Sequence, residues 1–279
     1  GMSAAISSSN MIPMAATIAG IEELTDKEKL FTIRLDTDAR FAYRPCQFVM
    51  VSLPGIGEAP ISISSSPTDT EGSIDLCIRS AGNLTGALHC LSVNDRVGIR
   101  GPYGNGFPLD KIVGRDILIV AGGLGLAPLR SLINYVRGTR EEYERIIILV
   151  GSKRPEDILF KEELLTWEKD TSIEVHTTVD IAEPTWQRHV GVITGLFRYV
   201  DIDPLNTAAA VVGPPVMYRF VIGELMKKGI FEGNIYLSLE RRMRCGIGKC
   251  GHCQINGIYL CQDGPVLSYR EAGKLQEAL

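Results

Sequence analysis

No apolar run in the 279-residue sequence reaches the roughly 18 residues that span a bilayer, and the N-terminus has neither the basic start nor the apolar core of a secretory signal. These absences predict no membrane span and a cytoplasmic location, where free thiolates persist. Positive charge is not in excess: the formal net charge is -4, so no basic surface points to nucleic acid or to an anionic membrane. Recognisable hydrolytic machinery is missing too. His176 and His189 have no serine, cysteine or paired-carboxylate pattern around them and read as structural. What remains is an ordinary globular composition, 45% hydrophobic, on a chain long enough for one large or two medium domains. Gly1 ahead of Met2 reads as an added residue, and residues 1–14 are expected to be a tag and a disordered or loosely held N-terminus.

Cysteine is unevenly spread. Cys46, Cys77 and Cys90 are scattered among apolar neighbours and are expected to be buried structural thiols. Cys245, Cys250, Cys253 and Cys261 instead crowd into one stretch with the spacing C-x4-C-x2-C-x7-C. Its first three members match the plant-type [2Fe–2S] ligand spacing, with a fourth downstream. Gly246, Gly248 and Gly251 would let the loop turn tightly and aim N–H groups at the sulfurs. Four thiolates also hold a tetrahedral Zn2+, and at this point zinc and disulfide pairing stay open.

Residues 15–110 are patterned as short strands. Residues 16–24 and 29–36 predict an antiparallel pair, FTIRLD alternating at period two. CQFVMVSLP (46–54), SIDLCIRS (73–80) and DRVGIRGPYG (95–104) add strands, and NLTGALHCL (83–91) a short helix with Thr85 near its start. Many short strands between Gly, Pro and Asn turns predict a small antiparallel β-barrel. EAPISISSSP (58–67) reads on its own as a Ser-rich edge strand and loop.

That stretch also resembles the flavin-binding strand of the ferredoxin-NADP reductase superfamily, usually Arg-x-Tyr-Ser-x-x-Ser. The resemblance implies an FAD-binding barrel in which Ser62 hydrogen-bonds near flavin N5, with Pro60, Ile61 and Ile63 beside it. Two departures stand out: Ala59 occupies the position of the pyrophosphate-binding arginine, and Ile61 that of the aromatic ring covering the flavin. Arg79, following Ile78, is the candidate substitute cation. GNLTGAL (82–88) is similar to the second FAD segment of these proteins, which implies that Gly82, Leu84 and Thr85 approach the diphosphate, helped by N–H groups at a helix start.

Residues 111–236 change character. RDILIVAGGLGLAPLRSLINYV (115–136) predicts a buried strand, a glycine turn and a helix with Pro128 in its first turn, and RIIILVGSKRPEDILFKEEL (145–164) repeats the pattern. SIEVHTTVD (172–180), NTAAAVVGPPVMYRFVIGELMKKG (206–229) and NIYLSLE (234–240) continue it. Alternating strands and helices predict a doubly wound parallel sheet, with ligands at the carboxyl ends of its strands. Side chains absent at Gly122, Gly123 and Gly125 would let a dinucleotide diphosphate approach the backbone, although such a turn also serves as a plain tight turn and has Pro128 where a third glycine is usual. VGPPVM (212–217) resembles the superfamily's Cys-Gly-Pro-Pro-x-Met turn, with Val212 for Cys, which implies that Gly213, Pro214 and Met217 lie beside the nicotinamide. The same resemblance places Ser152, Lys153 and Arg154 near the adenosine ribose, with NADH and NADPH both open.

The chain then runs through Glu240 into the cysteine loop, residues 237–279. The order flavin barrel, nicotinamide domain, cysteine module resembles the electron-transfer components of soluble hydrogenases (the gamma subunits), of anaerobic sulfite reductase and, further off, of dihydroorotate dehydrogenase. The resemblance implies an oxidoreductase component that passes electrons between NAD(P)H, FAD and a [2Fe–2S] cluster held by the four cysteines, to or from a catalytic redox subunit or a ferredoxin, in a hetero-oligomer. Glu240 would border the flavin site, or pair with Arg241 or Arg242. EAGKLQEAL (271–279) is expected to be a short charged helix. Ala59 and Ile61 would equally suit a non-catalytic redox or zinc sensor that keeps the fold without flavin.

Overall fold

The computed structural model describes residues 11–37, 41–69, 72–239 and 243–274. Six antiparallel strands come first: β1 (Met14–Glu23), β2 (Glu28–Leu35), β3 (Phe48–Leu53), β4 (Gly57–Ser62), β5 (Ser73–Arg79) and β6 (Arg96–Tyr103), with helix α1 (Asn83–His89) between the last two. They lie in the order β4-β3-β6-β1-β2-β5, and a bridge from Ile63 to Leu76 joins the two ends into a barrel. The period-two pattern is what closes it. Phe31, Ile33 and Leu35 point inward with Ile18, Val49, Val51, Leu76 and Ile99, while Thr32 and Arg34 face outward.

The second body is a seven-stranded sheet. Strands β7 (Asp116–Gly122), β8 (Ile146–Ser152), β9 (Glu174–Val179), β10 (His189–Val190), β11 (Thr207–Val212) and β12 (Ile235–Ser238) run in the order β10-β9-β8-β7-β11-β12, all parallel. Every residue of β7 and of β11 is buried, which is why both read as unbroken apolar runs. Helices α2 (Leu126–Gly138), α3 (Lys161–Lys169) and α4 (Pro215–Lys227) supply crossovers. The connection to β11 contains no α-helix and is instead β10 followed by a 3-10 stretch over Ile193–Tyr199. The chain winds outward from β7 in both directions, so its switch point lies between β7 and β11.

After β12 come a hairpin of β13 (Gln254–Ile255) and β14 (Ile258–Tyr259), the single turn α5 (Leu260–Asp263), β15 (Val266–Ser268) and the single turn α6 (Tyr269–Ala272). β15 pairs antiparallel with β12, Leu267 opposite Leu237, so the cysteine-bearing segment supplies the edge strand of the nicotinamide-type sheet. The terminal helix differs from the expected 271–279 span. It begins at Tyr269 because Ser268 and Glu271 form a capping box, Ser268 Oγ accepting from the Glu271 N–H at 3.2 Å, and Gly273 caps its end. Positions 275–279 lie outside the described residues, as does Glu240. Among the described residues no helix is long and apolar enough to cross a membrane.

Candidate functional site

The carboxyl ends of β7, β8 and β11 open onto a cavity of about 560 Å3. Gly122 and Gly123 line it from β7, Ser152 and Lys153 from β8, and Pro214 and Met217 from the turn into α4. This is the switch-point crevice of a doubly wound sheet, and the sequence singled out most of that set from its turns. Gly125 lies beneath. A β-carbon there would stand 2.2 Å from the Val212 carbonyl oxygen, so the two turns approach each other only because that side chain is missing. Gly213 is similarly pressed on Met217, whose Cε would be 2.4 Å from an added β-carbon. Pro128 is buried in α2.

The barrel contributes Lys27, Glu28 and Arg79 to the opposite wall of this cavity. Glu28 is buried, and its Oε1 accepts from Arg79 Nε at 2.8 Å and from Nη2 at 2.6 Å, while Thr25 Oγ1 donates to its other oxygen. Arg79 therefore reaches the cavity already paired with a carboxylate, a partner that sequence spacing did not reveal because it sits on the neighbouring strand, opposite in register. Arg154 lies instead in a smaller side cavity with Thr25, Lys27 and Asp157.

The other residues expected at a flavin occupy the barrel's rim. Pro60, Ile61 and Ser62 are half-buried on edge strand β4, Ile61 packing from the edge against the barrel core. Ile63 and Ile78 are buried in that core, and Leu84 packs on it. Gly82 precedes α1 as its N-cap, and Thr85 Oγ1 accepts from the Ala81 N–H at 2.9 Å.

Cys245, Cys250 and Cys253 share one loop, and Cys261 lies beyond the β13–β14 hairpin on the single turn α5. Backbone N–H groups of Ile247, Lys249 and Cys250 point at Cys245 Sγ at 3.4, 3.3 and 3.4 Å, and that of Gly248 points at Cys261 Sγ at 3.1 Å. Such donors suit thiolates. Cys245 neighbours Cys250, and Cys253 neighbours Cys261, each near enough for one thiol to perturb the other. Two pairs fit a two-iron cluster, in which each iron takes two thiolates. The donor set, four thiolates with backbone N–H groups aimed at Cys245 and Cys261, fits a [2Fe–2S] cluster.

Cys250 is exposed, and the His252 backbone N–H, more than any other group, holds its thiol below the ordinary range. Cys253 and Cys261 are buried, and burial pushes the metal-free Cys261 thiol up to about 12. Away from the loop, Cys46 and Cys77 are buried as expected, and burial pushes each thiol up to about 12. Cys90 differs from its expectation. It is exposed: α1 ends at His89, and Leu88 is the one residue of that helix to be fully buried.

The loop is held against the barrel by backbone contacts. Gly104 and Asn105 donate their N–H groups to the carbonyls of Cys261 at 3.1 Å and Gly264 at 2.7 Å, and Asn105 Nδ2 donates to Val266 at 2.7 Å. Gly246 adopts φ 75°, and a β-carbon there would stand 2.8 Å from the Tyr103 ring.

Residues 15–107 match the oxidoreductase FAD-binding domain, 119–222 the oxidoreductase NAD-binding domain, and 240–272 the iron-sulfur cluster binding domain of dihydroorotate dehydrogenase B. Sulfhydrogenase 2 subunit gamma of Pyrococcus furiosus is 42% identical across 92% of this chain and 95% of its own length. The probable dihydroorotate dehydrogenase B electron transfer subunit of Methanocella arvoryzae is 34% identical across 92% of this chain and 90% of its own. Among solved structures, NADH-dependent reduced ferredoxin-NADP oxidoreductase superposes with a TM-score of 0.74 at 24% identity, covering 94% of this chain and 92% of that one.

Proposed function

Because the chain belongs to the family of FAD-, NAD- and iron–sulfur-binding electron-transfer subunits that includes sulfhydrogenase gamma subunits, we propose that it carries electrons between NAD(P)H and a hydrogen-activating catalytic subunit. The observation that carries this reading is the seating of the cysteine loop. Through β15 and Asn105 it is bound at once to the nicotinamide-type sheet and to the flavin-type barrel, so the three sites form one continuous body.

When bound, FAD exchanges a hydride with the nicotinamide and single electrons with the cluster, and this chemistry belongs to the cofactors. The chain's own residues align them. Gly122 and Gly123 admit the coenzyme diphosphate to bare backbone, and Pro214 and Met217 wall the nicotinamide end. Ser152 and Lys153 meet the ribose end, and Lys27 offsets phosphate charge from the barrel side, where Arg79 is already balanced by Glu28. Ser62, at the rim end of β4, would hydrogen-bond the flavin near N5, with Pro60 and Ile61 beside it. A hydride carries its own electron pair, so no side chain need act as general acid or base. Cys250, Lys249 and His252 are exposed, and in this reading their face is the electron exit or entry.

The 42% against 34% identity to the respective relatives favours a hydrogenase-type partner over one that oxidises dihydroorotate. Affinity purification from the native cell tests this. The expected result is a complex in which the chain co-elutes with a subunit that oxidises hydrogen and reduces NAD(P)+. Co-elution with a dihydroorotate-oxidising subunit, or elution as a lone 30.5 kDa chain, would contradict it.

A further inference from the structure

A charged group with no part in the sites above lies between them. The Arg100 side chain, on β6, is 4% exposed, and a guanidinium so deep must satisfy its donors within the protein. Nε and Nη2 form a fork onto Glu58, at 2.8 Å to Oε2 and 2.5 Å to Oε1. Nη1 donates to Tyr103 Oη and to the backbone carbonyl of Cys245, each at 2.9 Å, and Nη2 reaches the Arg244 carbonyl at 3.4 Å.

Strand register explains the reach. Arg100 lies opposite Met50 on β3, and Met50 opposite Pro60 on β4, so the three share a face of the sheet. Glu58 and Ser62, two residues either side of Pro60, share it as well. The side chain thus crosses β3 and ties the expected flavin strand to the peptide of the first cluster cysteine.

Resting on the electron-transfer reading above, we propose that Arg100 is a positioning residue that clamps the Cys245 peptide to the Glu58 end of the Pro60–Ser62 strand, and that the Arg100–Glu58 pair sets the cluster's reduction potential. Adding an electron to a four-thiolate cluster adds negative charge, so a nearby cation favours the reduced form and a nearby anion the oxidised form. The guanidinium is the member of the pair that touches Cys245, with the carboxylate behind it. With side chains 4% and 25% exposed, the pair is shielded from the solvent screening that weakens surface ion pairs.

The test uses anaerobically prepared protein carrying E58Q, R100M or both, with iron and FAD per chain measured first and the cluster midpoint then taken by EPR-monitored redox titration. E58Q is expected to raise the midpoint and R100M to lower it, each changing the oxidised-to-reduced ratio at a fixed potential about tenfold, which is about 59 mV for one electron. The double variant is expected to return toward the unsubstituted value. Midpoints that shift in the same direction in both single variants, or a double variant that does not recover, would mean a merely structural clamp and overturn the inference. If R100M fails to fold, E58Q decides alone, and an unmoved midpoint overturns it. Unsubstituted protein without iron would overturn the electron-transfer reading and this inference together, whereas iron present with unmoved midpoints overturns the inference only.

Discussion

Gly246 shows how much of the cluster loop's shape depends on one missing side chain. Its φ of 75° is a conformation that L side chains rarely adopt, and its Cα faces the ring of Tyr103. Gly246→Ala is expected to cost about 1–3 kcal/mol through backbone strain and the displaced ring. Because the Ile247 and Gly248 N–H groups that follow point at Cys245 and Cys261, iron should be lost first. Thermal melting and iron per chain check this, and a variant with unchanged iron would show that the loop tolerates the substitution. At this scale the sequence disclosed residues whose identity itself is the signal: four cysteines at a telling spacing, and glycines where backbone must come close. It could not disclose Glu28 beneath Arg79 or Glu58 against Arg100, since those pairings join residues 51 and 42 positions apart. An arginine in a strand reads as solvent-facing until a neighbouring body covers it, and Arg100 is covered by the cysteine loop.

Elements long enough to show a period were legible, and the short ones were not. β7 and β11 announced themselves as apolar runs, and β2 as an alternation. β10 has only two residues and β15 three, too few for any periodicity, and each is placed by the edge of a sheet that already exists. The β9–β10 edge carries a testable consequence. His176 Nδ1 and His189 Nε2 are 3.3 Å apart, Glu174 Oε1 is 2.8 Å from His176 Nε2, and His189 stacks on Tyr199 at 4.2 Å between centroids. Burial, and then the neighbouring His176, hold the His189 imidazole below its ordinary value. A base whose folded pKa is depressed binds fewer protons folded than unfolded, so its contribution is intact above the unfolded value of about 6.5 and declines as pH falls through the folded one. Urea midpoints at pH 7.5 and pH 5.5 should therefore fall less in His189→Gln than in the unsubstituted protein. Equal declines would remove His189 from the account.

At the scale of the whole molecule, the cysteine segment is less an appendage than a joint. Its edge strand belongs to the nicotinamide-type sheet, while its loop lies on the barrel. The order of the three parts was readable because each has its own composition. Their stitching was not, since β15 and Asn105 act across 30 residues and 161 residues of chain respectively. A single body predicts that reducing equivalents offered at the cavity reach the cysteine loop without a partner being present. The direct measurement is an anaerobic titration of the isolated protein with NADH and NADPH, following flavin absorbance and the EPR spectrum together. Bleaching of a bound flavin, followed by the signal of a reduced [2Fe–2S] cluster with about two irons per chain, is the predicted result. Protein that contains zinc in place of iron, or whose flavin bleaches while no cluster signal appears, would contradict the account.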